Sequence, residues 1–422
     1  MLLLICRATA QNFMHVRRFP VKSLQRCYSL NPILKLDEYS QCNSPEMLES
    51  MKRRNITLDL SNLKALTQRY QDLNEKKAKI EIARGKISEE IIQLNEVDCE
   101  ERKSSLNSTA KILRKDYKML KSIIEQIEAQ LFSFSLKLPN LIDNKTLDNE
   151  VELFSSPFEQ KESDSHLNIG HQLDILEFLS PMQYFLKKGG GLLEISILNY
   201  FTSRLIQNKF TPFSNPDSCR SIIKELSCEN IISLGKLTDS DFLYLHGAAS
   251  FIPFLSYFYR SVISGELPIR LVSQGRKYSP KSKNEGLYTV HQKSAVQIFI
   301  IGCNETINLE FENLINYITE IYQSLEVPFR ISYCSASNLS PSESLRADIE
   351  VYSGHYKKFK SVGHVSLYND YFSKRSKMYY SKGNTTYYTH LISGTIVEIP
   401  PLIASVIEHT QNCELPICIT RC

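Results

Sequence analysis

The stretch that decides the fold is Gly286-Leu287-Tyr288-Thr289-Val290-His291-Gln292, continuing as Lys293-Ser294-Ala295-Val296-Gln297-Ile298-Phe299-Ile300-Ile301. A turn glycine opens it. Alternating apolar residues follow, then an unbroken apolar run. The pattern predicts a strand buried on one face and then on both.

At 422 residues the chain is long enough for two or three domains with cores of their own. Tryptophan is absent, and the net charge of +4 by itself carries no message about nucleic acid. The eleven cysteines are scattered, with no CxxC pair and no Cys/His cluster. That argues against a disulfide scaffold or a zinc site and fits a reducing compartment. No apolar run reaches the length of a membrane span.

The N-terminus differs in kind. Arg7, Arg17, Arg18, Lys22, Arg26 and Lys35 all precede the first acid, Asp37. An Arg-rich, acid-free leader predicts a mitochondrial transit peptide and import into the matrix. Arg26-Cys27-Tyr28-Ser29 looks like a matrix-protease site cut after Tyr28. Leu2-Leu3-Leu4-Ile5 admits a secretory reading, set aside because no charged segment precedes it and the free cysteines are many.

Beyond Thr57 the apolar period becomes helical. Leu63, Leu66, Tyr70 and Leu73 fall at steps of three and four, and Ile80 lies a heptad further on. Gly85 interrupts the stripe, and Ile87, Ile91 and Leu94 resume it. Asn95 to Glu101 is polar and acidic, a turn. Leu106, Ala110, Leu113, Tyr117, Leu120, Ile124, Ile127 and Leu131 then keep the heptad. Two such helices joined by a short turn predict an antiparallel coiled-coil hairpin, ended by Pro139 and Asn140. The second helix is lopsided in charge. Arg102, Lys103, Lys111, Arg114, Lys115, Lys118 and Lys121 face only Asp116, and the last five share one broad outer face. That is the footprint of phosphate contacts; the alternative is a solvated coiled-coil surface.

Residues 141–165 are polar and acidic and read as a linker. His166-Leu167-Asn168-Ile169-Gly170 follows, then Gly189-Gly190-Gly191, which lacks the GK[ST] ending of a phosphate loop and so merely turns the chain. Leu193, Ile197, Leu198, Phe201 and Leu205 make Leu192 to Ile206 an amphipathic helix.

This order of pieces resembles the seryl-tRNA synthetases, a class II family. The resemblance rests on the segments around Gly170, Gly191, Glu266-Leu267-Pro268-Ile269-Arg270 and Gly286 to Ile301, and on the helix Leu402 to Gln411. It implies an α+β fold: an N-terminal antiparallel coiled-coil hairpin arm, then a class II antiparallel β-sheet core flanked by helices. The domains expected are a transit peptide over 1–28, a helical domain with the arm over 29–140, a linker over 141–165 and the synthetase-like domain over 166–422. In the family the arm grips tRNA. The helix from Leu192 would be the motif 1 helix and Phe210-Thr211-Pro212 its strand partner, together the dimer interface.

The chemistry of the family is missing from the matching positions. Ala248-Ala249-Ser250 stands where a Thr-x-Glu senses serine, and Ser250 brings no carboxylate to an ammonium. In motif 2, Arg276 remains as a residual phosphate ligand, but the glutamate two residues on is Tyr278 and a later arginine is Thr289. Lys293 replaces the adenine-stacking ring, and Ser294 and Gln297 replace two acids. The glutamate that holds ATP and metal falls on Ser361, and an asparagine on Leu367. Pro401, read as a first helical residue, replaces the arginine that clamps the γ-phosphate. No catalytic residue, cofactor or metal is therefore expected.

The leader and the erased sites together resemble a catalytically inactive mitochondrial paralogue of the family. Such a protein would dimerise with the genuine mitochondrial seryl-tRNA synthetase or with itself, and would bind tRNA or other mitochondrial RNA or DNA. An active synthetase, or another adenylate-forming ligase with a diverged pocket, is the alternative that Arg276 and Glu350 keep open. A free-standing nucleic-acid binder is a third reading.

Overall fold

A computed structural model describes residues 15–18, 44–93, 100–158, 162–220, 232–238, 241–279 and 285–411. In chain order the elements are β1 (His15–Arg18), α1 (Pro45–Arg53), α2 (Leu60–Gln93), α3 (Glu100–Lys137), β2 (Val151–Ser155), α4 (His166–Gln172), β3 (Leu176–Ser180), β4 (Gln183–Leu186) and α5 (Gly189–Gln207). They continue with β5 (Thr211–Pro212), β6 (Ser218–Arg220), β7 (Ile232–Thr238), β8 (Asp241–Leu245), α6 (Phe251–Phe258), β9 (Ser261–Ser264), β10 (Ile269–Tyr278) and β11 (Gln292–Gly302). The last are α7 (Ile307–Gln323), β12 (Phe329–Tyr333), β13 (Leu345–Ser353), β14 (Lys358–Asn369), α8 (Tyr371–Ser376), β15 (Tyr379–Lys382), β16 (Thr385–Tyr388), β17 (His390–Glu398) and α9 (Ile399–Thr410). The chain divides into two units, residues 34–139 and residues 1–33 with 140–422.

In the first unit α2 and α3 pack along the heptad stripe. Leu63, Ile127 and Leu131 are buried with Met51, Leu60 and Leu138, and Leu66, Tyr70 and Leu73 pack against them. The seam is pinned by polar contacts as well: the Tyr70 hydroxyl donates to Glu128 Oε1 at 3.0 Å, and Arg84 lies 4.9 Å over the Tyr117 ring. Gly85 does not interrupt α2, which runs through it as one helix of 34 residues. The neighbouring hydrogen bonds and seam contacts override the weak propensity of one glycine. Residues 94–99, where the turn was expected, lie outside the described residues, as do the proposed cleavage site and the leader apart from 15–18.

The second unit is built on an eight-stranded sheet in the order β2-β12-β13-β14-β17-β11-β10-β5. All neighbours are antiparallel except β10 and β5. The deciding stretch becomes a tight turn at Gly286–Tyr288 and then β11, whose residues from Ser294 onward are all buried. Gly286 is needed twice over. Its φ is +64°, and a Cβ there would lie 2.3 Å from His166 Nε2. One sheet face, called A, carries Val272, Val296, Ile298, Ile300, Ala347, Ile349, Val365 and Ile392 under α5, α7 and α9. The opposite face, called B, begins apolar under α6 and α8, through Leu271, Phe299, Ile301 and Leu391. Further along it becomes polar.

Residues 141–165 are not a loose linker. Asn140 Nδ2 donates to the carbonyls of Ser342 and Tyr368 at 2.9 and 2.8 Å, Thr146 is buried, and β2 is the edge strand beside β12. An edge strand with one solvated side tolerates acidic residues, which is why its composition reads as linker. His15–Arg18, inside the expected leader, pairs with β9 in the four-stranded sheet β1-β9-β15-β16. Among the described residues no helix is long and apolar enough to cross a membrane.

A Cβ added at Gly85 would meet nothing within 4 Å. Gly85→Ala is expected to stabilise the arm by about 1 kcal/mol. Hydrogen exchange of the α2 amides in the intact protein checks it, as slower exchange around residue 85.

Candidate functional site

Pairing register decides which side chains meet on face B. Lys277 lies opposite Lys293, Gly275 opposite Ala295 and Ser273 opposite Gln297 across β10 and β11. On the other side Ala295 faces Glu398, Gln297 faces Thr395, and Thr395 faces His364. His364 faces Asp348, and Ser366 faces Arg346. The polar end of face B is thus one connected surface spanning five strands.

Its charges are paired with each other. Lys293 Nζ sits 2.5 Å from Glu398 Oε2, and Lys277 Nζ 3.5 Å from Glu398 Oε1. Lys277 also donates to Thr395 Oγ1 at 2.8 Å, and Thr395 donates to Gln297 Oε1 at 2.7 Å. Gln297 Nε2 donates to Ser393 Oγ at 2.9 Å. Arg346 grips Asp348 through two nitrogens at 2.9 and 3.1 Å and reaches Glu343 at 3.4 Å, while Arg330 Nε meets Glu350 at 2.6 Å. Burial alone would raise the Glu398 carboxyl, but Lys293 and Lys277 outweigh it and hold it below its ordinary range. Burial, reinforced by Lys277 and Arg346, pushes His364 down to about 3, so its imidazole is neutral at pH 7.

The positions singled out in the sequence are distributed unevenly. Lys293 and Gln297 are on face B, and so is the exposed Ser361, opposite Glu350. Ser250 caps α6 beside it, and its hydroxyl donates to the Gly247 carbonyl at 2.9 Å. The Ala248 loop lies over the sheet so closely that a Cβ on Gly275 would meet Ala248 Cβ at 2.8 Å. Thr289 is in the turn before β11, where its Oγ1 accepts from the Glu285 N–H at 3.0 Å.

Four expectations are corrected. Arg276, expected to bind phosphate, points to face A, where its guanidinium meets Glu194 of α5 at 3.2 Å and Ser294 Oγ at 2.8 Å. Ser294 bonds the same Glu194, and Tyr278 shares the parity of Arg276. Strands alternate, so a one-residue shift of alignment moves a side chain to the opposite face; the face B residue here is Lys277. Leu367 is 1% exposed in the face A core, and the polar side chain at that level is Ser366. Pro401 is the third residue of α9, which starts at Ile399. Pro is tolerated there because the first N–H groups of a helix have no intrahelical partner. On the arm, Arg102, Lys103, Lys111, Arg114, Lys115, Lys118 and Lys121 are all exposed, and Lys121 lies 3.9 Å from Glu125.

Sequence reasoning missed Lys277, Glu398, His364 and the Arg346–Asp348 pair. Their signal is faint: a charge in every second place of a strand that otherwise reads as apolar. It missed a second network too. His166 Nδ1–H donates to Glu408 at 2.7 Å, while His166 Nε2 accepts the Leu287 N–H at 3.0 Å. Tyr288 and Ser353 hydroxyls donate to the other Glu408 oxygen at 3.0 and 2.6 Å. One buried carboxylate thereby ties α4, the Gly286 turn, β13 and α9 together.

Class II synthetases act on ATP with Mg²⁺, which wants carboxylate oxygens. On face B, Glu343, Asp348, Glu350 and Glu398 are each held by an arginine or a lysine. That donor set does not fit a hydrated Mg²⁺, and among the described residues no group of three or more His, Cys, Asp or Glu forms a metal site.

Residues 242–410 match the model of the tRNA synthetase class II core domain (G, H, P, S and T). The serine–tRNA synthetase-like protein Slimp of Drosophila melanogaster is 28% identical over 396 residues, covering 87% of this chain and 83% of that one. The mitochondrial serine–tRNA ligase of Mus musculus is 25% identical over 94% of this chain and 83% of its own length. Among solved structures, the seryl-tRNA synthetase of Pyrococcus horikoshii complexed with ATP superposes with a TM-score of 0.79 at 17% identity, over 91% of this chain and 97% of that one. The cytoplasmic serine–tRNA ligase of Naegleria fowleri in complex with AMP gives 0.77 at 18%, over 92% and 95%.

Two substitutions probe the networks. Glu408→Ala leaves buried donors without an acceptor and should cost about 3 kcal/mol, seen as a lower denaturation midpoint. Glu398 has a lowered carboxyl, so its stabilisation is present above the unfolded value of 4.5 and is lost as pH falls through the folded one. Glu398→Gln should therefore weaken the fold at pH 7, where Lys277 and Lys293 lose their shared counter-charge, and flatten the acid limb below about pH 4.5 in a melting-temperature series.

Proposed function

We propose that this seryl-tRNA synthetase-like chain, with its class II tRNA synthetase core over residues 242–410, is a non-catalytic mitochondrial binding protein. It dimerises around α5, with the genuine mitochondrial seryl-tRNA synthetase or with a second copy of itself. Its arm holds tRNA or another mitochondrial RNA or DNA, in support of mitochondrial translation or maintenance.

The observation that carries the loss of catalysis is the mutual pairing of every cation on face B. Activation of an amino acid is stabilised mainly by charge placed on the phosphates. Lys277 and Lys293 share Glu398, Arg346 holds Asp348, and Arg330 holds Glu350. A nucleotide would have to displace these partners. Arg276 and Glu350, the two features that favoured an active ligase, are both committed to ion pairs.

Dimerisation is supported by large apolar side chains left in water on adjoining elements. Met182 and Phe185, in and beside the turn between β3 and β4, are 73% and 53% exposed, and Leu192 and Ile195 on α5 are 66% and 58%. Apolar side chains exposed together on adjoining elements favour an interface there. Nucleic-acid binding is supported by the exposed basic face of α3. The mitochondrial reading is supported by the acid-free leader and by likeness to a mitochondrial ligase.

Serine-dependent ATP–pyrophosphate exchange tests the proposal. The protein alone should give none, and mixing it with a mitochondrial seryl-tRNA synthetase should change the activity or stability of that enzyme. Exchange by the protein alone would overturn the reading and restore an active seryl-tRNA synthetase or other adenylate-forming ligase.

A further inference from the structure

The arm carries a second apolar stripe that nothing above uses. The heptad by which α3 faces α2 runs through Leu113, Tyr117, Leu120, Ile124 and Ile127. One residue back lie Ile112, Asp116, Met119 and Ile123, with the same steps of four, three and four. A two-stranded coiled coil needs a single seam. Apolar residues on two adjoining heptad rows suit a helix packed against more than one neighbour. Ile112 and Met119 stand in water, 61% and 56% exposed. Beside them a groove of about 480 Å³ runs between α2 and α3, lined by Ile80, Met119, Leu120 and Ile123. Lys76 and Lys79 line it from α2, and Asp116 from α3.

Charge says what covers it. A further step back along α3 gives Lys111, Lys115 and Lys118, so lysines border the groove on both sides. All five are exposed, and none makes an ion pair among the described residues. The acids close by are Asp116 in the groove, and Asp72 and Glu75 one turn before Lys76 and Lys79. The Asp72 carboxylate accepts from Gln68 Nε2 at 2.9 Å. A second copy of the arm would set lysine rows against lysine rows, which like charges oppose. Helix α1 is engaged elsewhere, where Met51 packs with Leu60, Leu63, Ile127 and Leu131. Nucleic acid would neutralise the lysines and leave the apolar lining wet. An amphipathic helix with acidic flanks satisfies lining and borders together.

We propose that the groove between α2 and α3 receives one amphipathic helix of a partner protein, as the third helix of a bundle. That helix presents an apolar face to Ile80, Met119 and Ile123 and glutamates or aspartates to Lys76, Lys79 and Lys115. It carries a single basic residue at the level of Asp116. One polar position in an apolar stripe fixes register, so Asp116 selects how the partner helix is seated. The contact goes beyond the nucleic-acid reading of the arm, which uses the outer face of α3 and not the groove.

The experiment uses the full-length protein and two fluorescein-labelled synthetic peptides of three heptads, followed by anisotropy. Both peptides have leucine at a and d, except for one lysine at the central a position. One has glutamate at every e and g position, the other lysine, so neither pairs with itself. The glutamate peptide should bind the native protein about tenfold or more tightly than the lysine peptide. Ile112→Gln with Met119→Gln should weaken that binding about tenfold and leave the melting temperature unchanged, because both side chains are exposed. Lys76→Glu with Lys79→Glu should reverse the preference between the peptides, which damage to the arm would not do. Asp116→Leu should favour a glutamate peptide whose central lysine is replaced by leucine. No binding of the glutamate peptide by the native protein, equal binding of both peptides, or unchanged binding by the Gln variant would overturn the proposal. Self-association that the Gln variant abolishes, without peptide binding, would give the groove to a second copy. Binding of a tRNA transcript that falls in the Gln variant, without peptide binding, would give it to nucleic acid. Either outcome overturns the partner helix.

Discussion

Strand β11 must be buried on both faces, and much of the second unit answers to that requirement. From Ser294 to Gly302 every residue of the strand is buried. A strand of this kind needs partners on both edges, which β10 and β17 supply. It needs cover above and below as well, which helices supply on face A and on the apolar half of face B. The buried Glu408 of α9 then fixes the turn from which β11 starts, because its partners come from α4, from that turn and from β13. A carboxylate in that position is costly unless every lone pair is used. Here the His166, Tyr288 and Ser353 donors use it, and its carboxyl is held low although burial alone would raise it.

Face B shows what happens where cover is incomplete. The strands bring polar side chains into rows, and a row of like charges would repel. Lys277 and Lys293 are directly opposite each other, an unfavourable arrangement by itself. Glu398 on the next strand resolves it by facing both. The Arg346–Asp348 and Arg330–Glu350 pairs repeat the solution further out. Such pairs gain little over a well-packed apolar surface, but losing one member leaves a charge stranded in a poorly solvated place. Their effect is local: removing one member of a pair strands its neighbour.

Much of the architecture was legible in the sequence. The heptads of α2 and α3, the amphipathic α5 and the apolar run of β11 are long, regular and dictated by burial, and all appear where the periods place them. The edge strand β2 was not legible, because an edge needs pairing on one side only and can look like an acidic linker. The site was less legible than the fold. Lys293 and Gln297 lie on face B, whereas Arg276 and Leu367 lie on face A, since a strand reverses its meaning with a shift of one residue. Glu398 was overlooked because it closes an apolar strand immediately before a helix, where a lone acid draws no attention.

The contrast between the two faces bears on how far likeness carries. A TM-score of 0.79 at 17% identity shows a shared fold and does not by itself carry the chemistry across. Face A is packed under three helices, and the Glu408 network ties the turn before β11 to α4, β13 and α9. At the polar end of face B only part of the surface escapes burial: Ser361 is exposed and Lys293 partly so, while Gln297 is buried and hydrogen-bonded to Ser393 and Thr395. The likeness shows the fold, and chemistry has to be argued from the pairs on face B. Lys277, Lys293 and Glu398 already satisfy one another there, with no ligand required.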